Sequence, residues 1–207
     1  MSYVLIHHGW TNTRQENHWQ RTLAVALRAQ GHVVSYAQFA DTQLPNFAAW
    51  SELLVAELEL LVQQRQADGG HGELIFVAHS LGCVNIMKSA LNGLIRPELS
   101  ADRTLFVAPA GMQTLDRVES FKFSLQTGDE QTALRAALAK TAGSLTLLAS
   151  DADEWLPKGI RLEYGEPLGL EPMIIEGAAH LALSDGWGPW QGVIDWVNNP
   201  AADLRLR

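Results

Sequence analysis

The chain has 207 residues, 47% of them hydrophobic and 18% charged, and a formal net charge of −8. That length and balance suit one globular domain with a sizeable core and exclude a disordered or fibrous chain. The acidic excess excludes binding to a phosphate backbone, which needs Lys and Arg gathered on one face, so no nucleic-acid partner is expected.

Residues 3–8, YVLIHH, read as a first strand and not as a signal peptide, because no basic lead-in precedes them. Residues 16–31 follow with helical spacing and a closing Gly31. Residues 32–39 read as the next strand, and 46–66 as a long helix after Pro45, with Asn46 as its cap. ELIFVA (73–78) is too continuously apolar to be half exposed and belongs at the centre of a parallel sheet. A helix is expected over 84–93, buried strands over 103–109 and 144–150, another strand over 171–177, and a last helix over 190–199 stopped by Pro200. Residues 110–143 are the least regular part. They are expected to form an insertion or cap region, with a helical pattern over 132–143.

Strands alternating with helices of this length make βαβ units, hence an α/β fold with a mostly parallel sheet covered on both faces. One domain over 1–207 is expected. No apolar run approaches the roughly 20 residues that span a bilayer, so a soluble, cytoplasmic protein without a membrane partner is expected. The single cysteine, Cys83, permits no intramolecular disulfide and reads as a buried structural thiol. No phosphate loop or dinucleotide fingerprint is present, and no cofactor is expected.

In such sheets ligands bind at the carboxyl ends of the strands, which gives a position test for every candidate. Ser80 passes it, lying between ELIFVA and a helix. A nucleophile on so sharp a turn needs very small residues two positions to either side. Gly82 is one, and Ala78 stands where glycine is usual. The competing reading is a serine that caps the helix starting near Leu81. A serine nucleophile needs a base, and the base an orienting acid. His180 follows the last expected strand behind Gly177, Ala178 and Ala179; Asp151 and Asp153 follow the strand before it. The chain order is then Ser, Asp, His, that of the α/β-hydrolase arrangement. The backbone N–H groups of Trp10, after the first strand, and Leu81 are the candidate oxyanion donors. His7 and His8 point to opposite faces of a strand, so they are not expected to share a metal ion. Trp10, Trp155 and Trp187 are expected to line an apolar acyl pocket.

HHGW with HWQ after the first strand, VAHSLGC, LFVAPA, ASDADEWLP and EGAAHLALSDGWGPW are spread over nearly the whole chain. Together they resemble the small α/β-hydrolase-fold serine hydrolases of the retinoblastoma-binding-protein-9 and YdeN type. The resemblance implies a compact α/β-hydrolase fold without a large cap domain and a carboxylesterase-like activity on a small-molecule ester or related acyl substrate. It also selects the acid. The D-x-x-x-P register of such proteins falls on Asp153 and Pro157 and not on Asp151, which implies a Ser80–His180–Asp153 triad. A second reading carried by the resemblance is a module that binds a protein partner and keeps only vestigial catalysis. GAAH departs from the more glycine-rich approach to the histidine, and residues 110–143 do not align.

Overall fold

The computed structural model describes residues 1–207. Six strands, β1 (Tyr3–His7), β2 (Val33–Ser35), β3 (Leu74–His79), β4 (Ala101–Val107), β5 (Ala142–Ser150) and β6 (Met173–Ile175), form one sheet. Its order is β2-β1-β3-β4-β5-β6, with every neighbouring pair parallel. Parallel neighbours demand crossovers, supplied by α1 (Trp19–Ala29), α2 (Phe47–Ala67), α3 (Leu81–Leu91) and α4 (Gly128–Thr141). A short α5 (Glu166–Leu168), continuous with a π-helical turn at Arg161–Gly165, precedes β6, and α6 (Gln191–Asn198) follows it.

The period of two along each strand sorts its side chains between two cores. Leu5, Phe76, Phe106 and Leu147 pack with Trp50, Leu54 and Leu58 of α2, Val84 and Met87 of α3, and Leu134 and Leu138 of α4. Val4, Ile6, Ile75, Val77, Leu105 and Val107 face the other way, against Trp19, Leu23 and Leu27 of α1 and Val193, Trp196 and Val197 of α6. β1 and β3 are buried along their whole length, which is why they read as unbroken apolar runs. No helix is long and apolar enough to cross a membrane.

Several boundaries differ from the expected ones, and side-chain hydrogen bonds account for them. β2 stops at Ser35 because the backbone beyond it is claimed by the loop after β1. Phe39 N–H donates to His8 Nε2 (3.0 Å), and Arg14 donates to the Tyr36 carbonyl (2.7 Å). β6 is equally short. Past it, Gly177 N–H donates to Asp151 Oδ1 (2.7 Å) and Ala178 N–H to Ser150 Oγ (2.9 Å). Asn46 caps α2 as expected, accepting from Ala49 N–H. In the 110–143 stretch, α4 is the β4-to-β5 crossover, opened by a capping box of Thr127 and Glu130. The 3₁₀ turns Thr114–Arg117 and Glu119–Phe121 precede it, and Thr114, Arg117 and Val118 line the cavity described below.

The chain runs from β1 outward to β2, then returns across β1 to β3 and proceeds to β6. The carboxyl ends of β1 and β3 therefore flank the topological switch point, where a crevice opens. There the start of α3 passes so close to β1 that a Cβ on Gly82 would lie 2.7 Å from both His7 Nδ1 and the His8 carbonyl. Gly82→Val is accordingly expected to destabilise the fold by ~2 kcal/mol or more, read as a lowered urea midpoint. An unchanged midpoint would mean that the turn relaxes freely.

Candidate active site

Ser80 stands between β3 and α3 with φ 55° and ψ −124°, a conformation costly for any residue with a Cβ. It is held there from both sides. Ser80 N–H donates to the Val107 carbonyl of β4 (3.0 Å). Gly9, just after β1, approaches so near that a Cβ on it would lie 2.6 Å from Ser80 Cβ. Ala78 stands fully buried in the larger core, which accepts its methyl group in place of the usual glycine. The serine makes no capping bond to α3.

Its hydroxyl meets His180 instead. Ser80 Oγ lies 2.8 Å from His180 Nε2, and His180 Nδ1 lies 2.8 and 2.9 Å from the two oxygens of Asp153. A ring nitrogen facing a carboxylate carries the proton, so Nδ1–H donates to Asp153 and Nε2 accepts from the serine. Asp153 is almost wholly buried, with its side chain 1% exposed, and also accepts from Trp155 N–H (2.9 Å). Asp151 does not join this chain. It is exposed, and it closes the turn after β6 through Gly177 N–H.

The loop carrying His180 is tightly wound, with Gly177, Ala179 and Leu181 all at positive φ. Three ring donors hold its carbonyls, two of them from distant parts of the chain. Trp187 Nε1–H donates to Ala178 (3.1 Å), His79 Nε2–H to His180 (2.9 Å) and Trp19 Nε1–H to Leu181 (2.9 Å). Asp185 accepts from the N–H groups of His180 (3.0 Å) and Ala182 (3.1 Å). Trp187 is therefore not a pocket residue as expected. It is buried in the smaller core, and its indole braces the histidine loop. The motifs HWQ and SDGW carried these braces in plain sight, but nothing in the sequence connects an indole to one particular carbonyl.

The site opens into a cavity of about 650 Å³, whose lining includes Trp10, His18, Ser80, Leu81, Trp155 and His180. The N–H of Trp10 donates no hydrogen bond within the chain. Leu81 N–H is the first of α3 and has no intrahelical acceptor. Beneath and beside the cavity lie four buried histidines that sequence reasoning left without a role. His7 donates from Nδ1 to the His8 carbonyl and accepts at Nε2 from Asn85 Nδ2 (both 2.9 Å), while its ring stacks on Phe39. His8 donates to the Gly9 carbonyl, and His18 caps α1 by accepting from Gln20 N–H at Nδ1. Burial pushes His7 down to about 3, and His8 and His18 to about 4. Burial, followed by the nearby His180 and His18, holds His79 well below the usual imidazole range. Cys83, also buried, has its thiol pushed up by burial.

A parallel sheet with a strained serine at its switch point defines an α/β hydrolase. Residues 4–199 match the serine hydrolase family, and the chain belongs to that family. Among solved structures, the ydeN gene product of B. subtilis superposes with a TM-score of 0.71 at 19% identity, over 96% of this chain and 97% of that one. A YdeN-like protein from Pectobacterium atrosepticum gives 0.62 at 16% identity, over 96% and 90%. Est1E from Butyrivibrio proteoclasticus gives 0.56 at 15% identity, over 86% and 79%. These likenesses are of fold. No curated protein matches the sequence significantly.

The buried histidines make the fold acid-sensitive. Below the unfolded imidazole value of about 6.5, the unfolded chain takes up protons that neutral His7, His8 and His18 refuse, so stability is fully present above that pH and falls below it. The loss is expected to run from about pH 6.5 toward 4, where His8 and His18 titrate in the fold. Each histidine adds a slope of about 1.4 kcal/mol per pH unit within that window. Urea unfolding at a series of pH values measures it, and a flat stability between pH 7 and 5 would contradict the neutral assignment.

Proposed function

We propose that this serine hydrolase cleaves a carboxylic ester or closely related acyl bond through a Ser80–His180–Asp153 triad and an acyl-enzyme. The observation that carries this reading is the unbroken hydrogen-bond chain from Ser80 Oγ through His180 to Asp153, opening on the cavity. Ser80 Oγ attacks the acyl carbon while His180 Nε2 takes its proton, forming the serine–carbon bond and a tetrahedral oxyanion. Asp153 keeps the imidazole in the tautomer that can accept, and it stabilises the cation that results. The N–H groups of Trp10 and Leu81 receive the oxyanion, each worth roughly 3 kcal/mol when aligned with it. Collapse breaks the carbon–oxygen bond of the ester, and His180 returns its proton to the departing alkoxide. Water, deprotonated by the same imidazole, then attacks the acyl-enzyme and releases the acid with free Ser80.

Two features favour this role over a purely structural one. The strain at Ser80 is maintained by close contacts and not relieved by a glycine at that position. Asp153, wholly withdrawn from water, has the imidazole as its single side-chain partner.

A fluorophosphonate probe is expected to label the folded protein and to fail on Ser80→Ala. Labelling that survives the substitution would overturn the assignment of the nucleophile. With 4-nitrophenyl esters, Asp153→Asn is expected to lower kcat by ~10³- to 10⁴-fold, and Asp151→Asn by less than ~10-fold. The reverse order would move the acid to Asp151.

A further inference from the structure

The cavity that holds Ser80 also holds a cation with no acid to pair with. Arg117 is the one lining side chain of permanent charge, and no Asp or Glu shares that lining. Its guanidinium carbon sits 4.9 Å from the ring centre of Trp10 and 5.1 Å from that of Trp155. Those two rings meet edge to face, 6.1 Å apart at 75°. The neighbouring acid, Asp116, is engaged by Lys122 at 3.1 Å, and none of the chain's ion pairs includes Arg117. Asp116 and Glu154 line the adjoining outer groove with Arg117, but neither pairs with it, and on the side of the serine the guanidinium meets no carboxylate.

The seat is also built to hold still. Trp10 Nε1–H donates to the Gln43 carbonyl (3.2 Å). The Trp155 carbonyl accepts from Gly111 N–H and Thr114 Oγ (both 2.8 Å), which ties it to the turn that carries Arg117. Trp155 N–H in turn donates to Asp153 Oδ1, so the cation's seat and the acid of the site share one short segment. Two rings at 75° cannot both lie flat on one guanidinium, so the contact is a cation–π one that holds the charge and leaves N–H donors to meet a carboxylate or phosphate in two parallel hydrogen bonds. Contact with two indoles restrains this exposed, flexible side chain, a preorganisation that favours binding.

We infer that Arg117 determines specificity by binding an anionic oxygen group, a carboxylate or phosphate, carried by the ester. This rests on the hydrolase reading of the same site and names its substrate class. Arg117 touches the substrate away from the reacting carbon.

The test compares pairs of esters that differ in one anionic group. Mono-4-nitrophenyl glutarate against its methyl ester places the anion on the acyl side. 4-Acetoxybenzoate against 4-acetoxybenzamide places a carboxylate on the alcohol side, and 4-acetoxyphenyl phosphate against phenyl acetate places a phosphate there. In at least one pair, kcat/KM is expected to favour the anion by ~10-fold or more, a preference that added salt weakens. Arg117→Met is expected to abolish that ratio and Arg117→Lys to keep part of it. Ratios within twofold for every pair, or a ratio that survives Arg117→Met, overturn the inference. If the wild-type protein neither turns over any ester nor reacts with a fluorophosphonate, the hydrolase reading fails instead. Arg117 is then judged by tryptophan fluorescence on Ser80→Ala titrated with monomethyl and dimethyl glutarate. Tighter binding of the monoester, lost on adding Arg117→Met, sustains the anion site; equal binding overturns it.

Discussion

At Ser80 the backbone turns from strand to helix within a single residue, at φ 55° and ψ −124°, and most of the site's architecture follows from holding it there. The turn requires the β1 loop, the end of β3 and the start of α3 to crowd together, and only glycine fits at the two tightest contacts, Gly9 and Gly82. Strain of this kind persists only when the surroundings over-determine it. Here the surroundings are a fully buried parallel sheet with β1 and β4 to either side of β3. The reward is a hydroxyl raised at the sheet's carboxyl edge, with the first N–H of α3 beside it.

The histidine partner is fixed by a different strategy. Its loop follows a three-residue strand at the far edge of the sheet, where the ladder offers little support. Hydrogen bonds from Trp19, His79 and Trp187 replace the ladder, each taking one carbonyl of the loop. These donors belong to uncharged buried aromatic and imidazole rings, so they orient His180 without adding a charge of their own. Asp153 is the carboxylate on the imidazole itself, while Asp185 takes the backbone N–H of His180.

Much of this was legible in the sequence, and the parts that were not share a cause. Apolar runs announced β1 and β3, because strands buried on both faces need nothing else. The order of a serine, an aspartate and a histidine after β3, β5 and β6 was readable from position alone. Spacing left the choice between Asp151 and Asp153 open; resemblance to a known register selected Asp153, which the structure places on the imidazole while Asp151 closes a turn. The ends of β2 and β6 were misjudged, because side chains from other loops claim their backbone groups. The part played by Trp187 was missed for the same reason. Its composition suggested a pocket wall, whereas its indole N–H decides its place. Arg117 carried no motif at all; its meaning comes from two tryptophans, one after β1 and one after β5, that the fold brings together.

The short outer strands have a bearing on how the molecule behaves among its own copies. A sheet edge is a row of unpaired donors and acceptors that can template another chain. Here both edges, β2 and β6, run for three residues before loop side chains take over the backbone. A sheet buried along β1 and β3 is thus bounded by short margins, the kind of edge that blunts strand addition. The same hydrogen bonds that set those margins anchor the loops around the cavity, so colloidal restraint and the shape of the site are secured by one set of contacts.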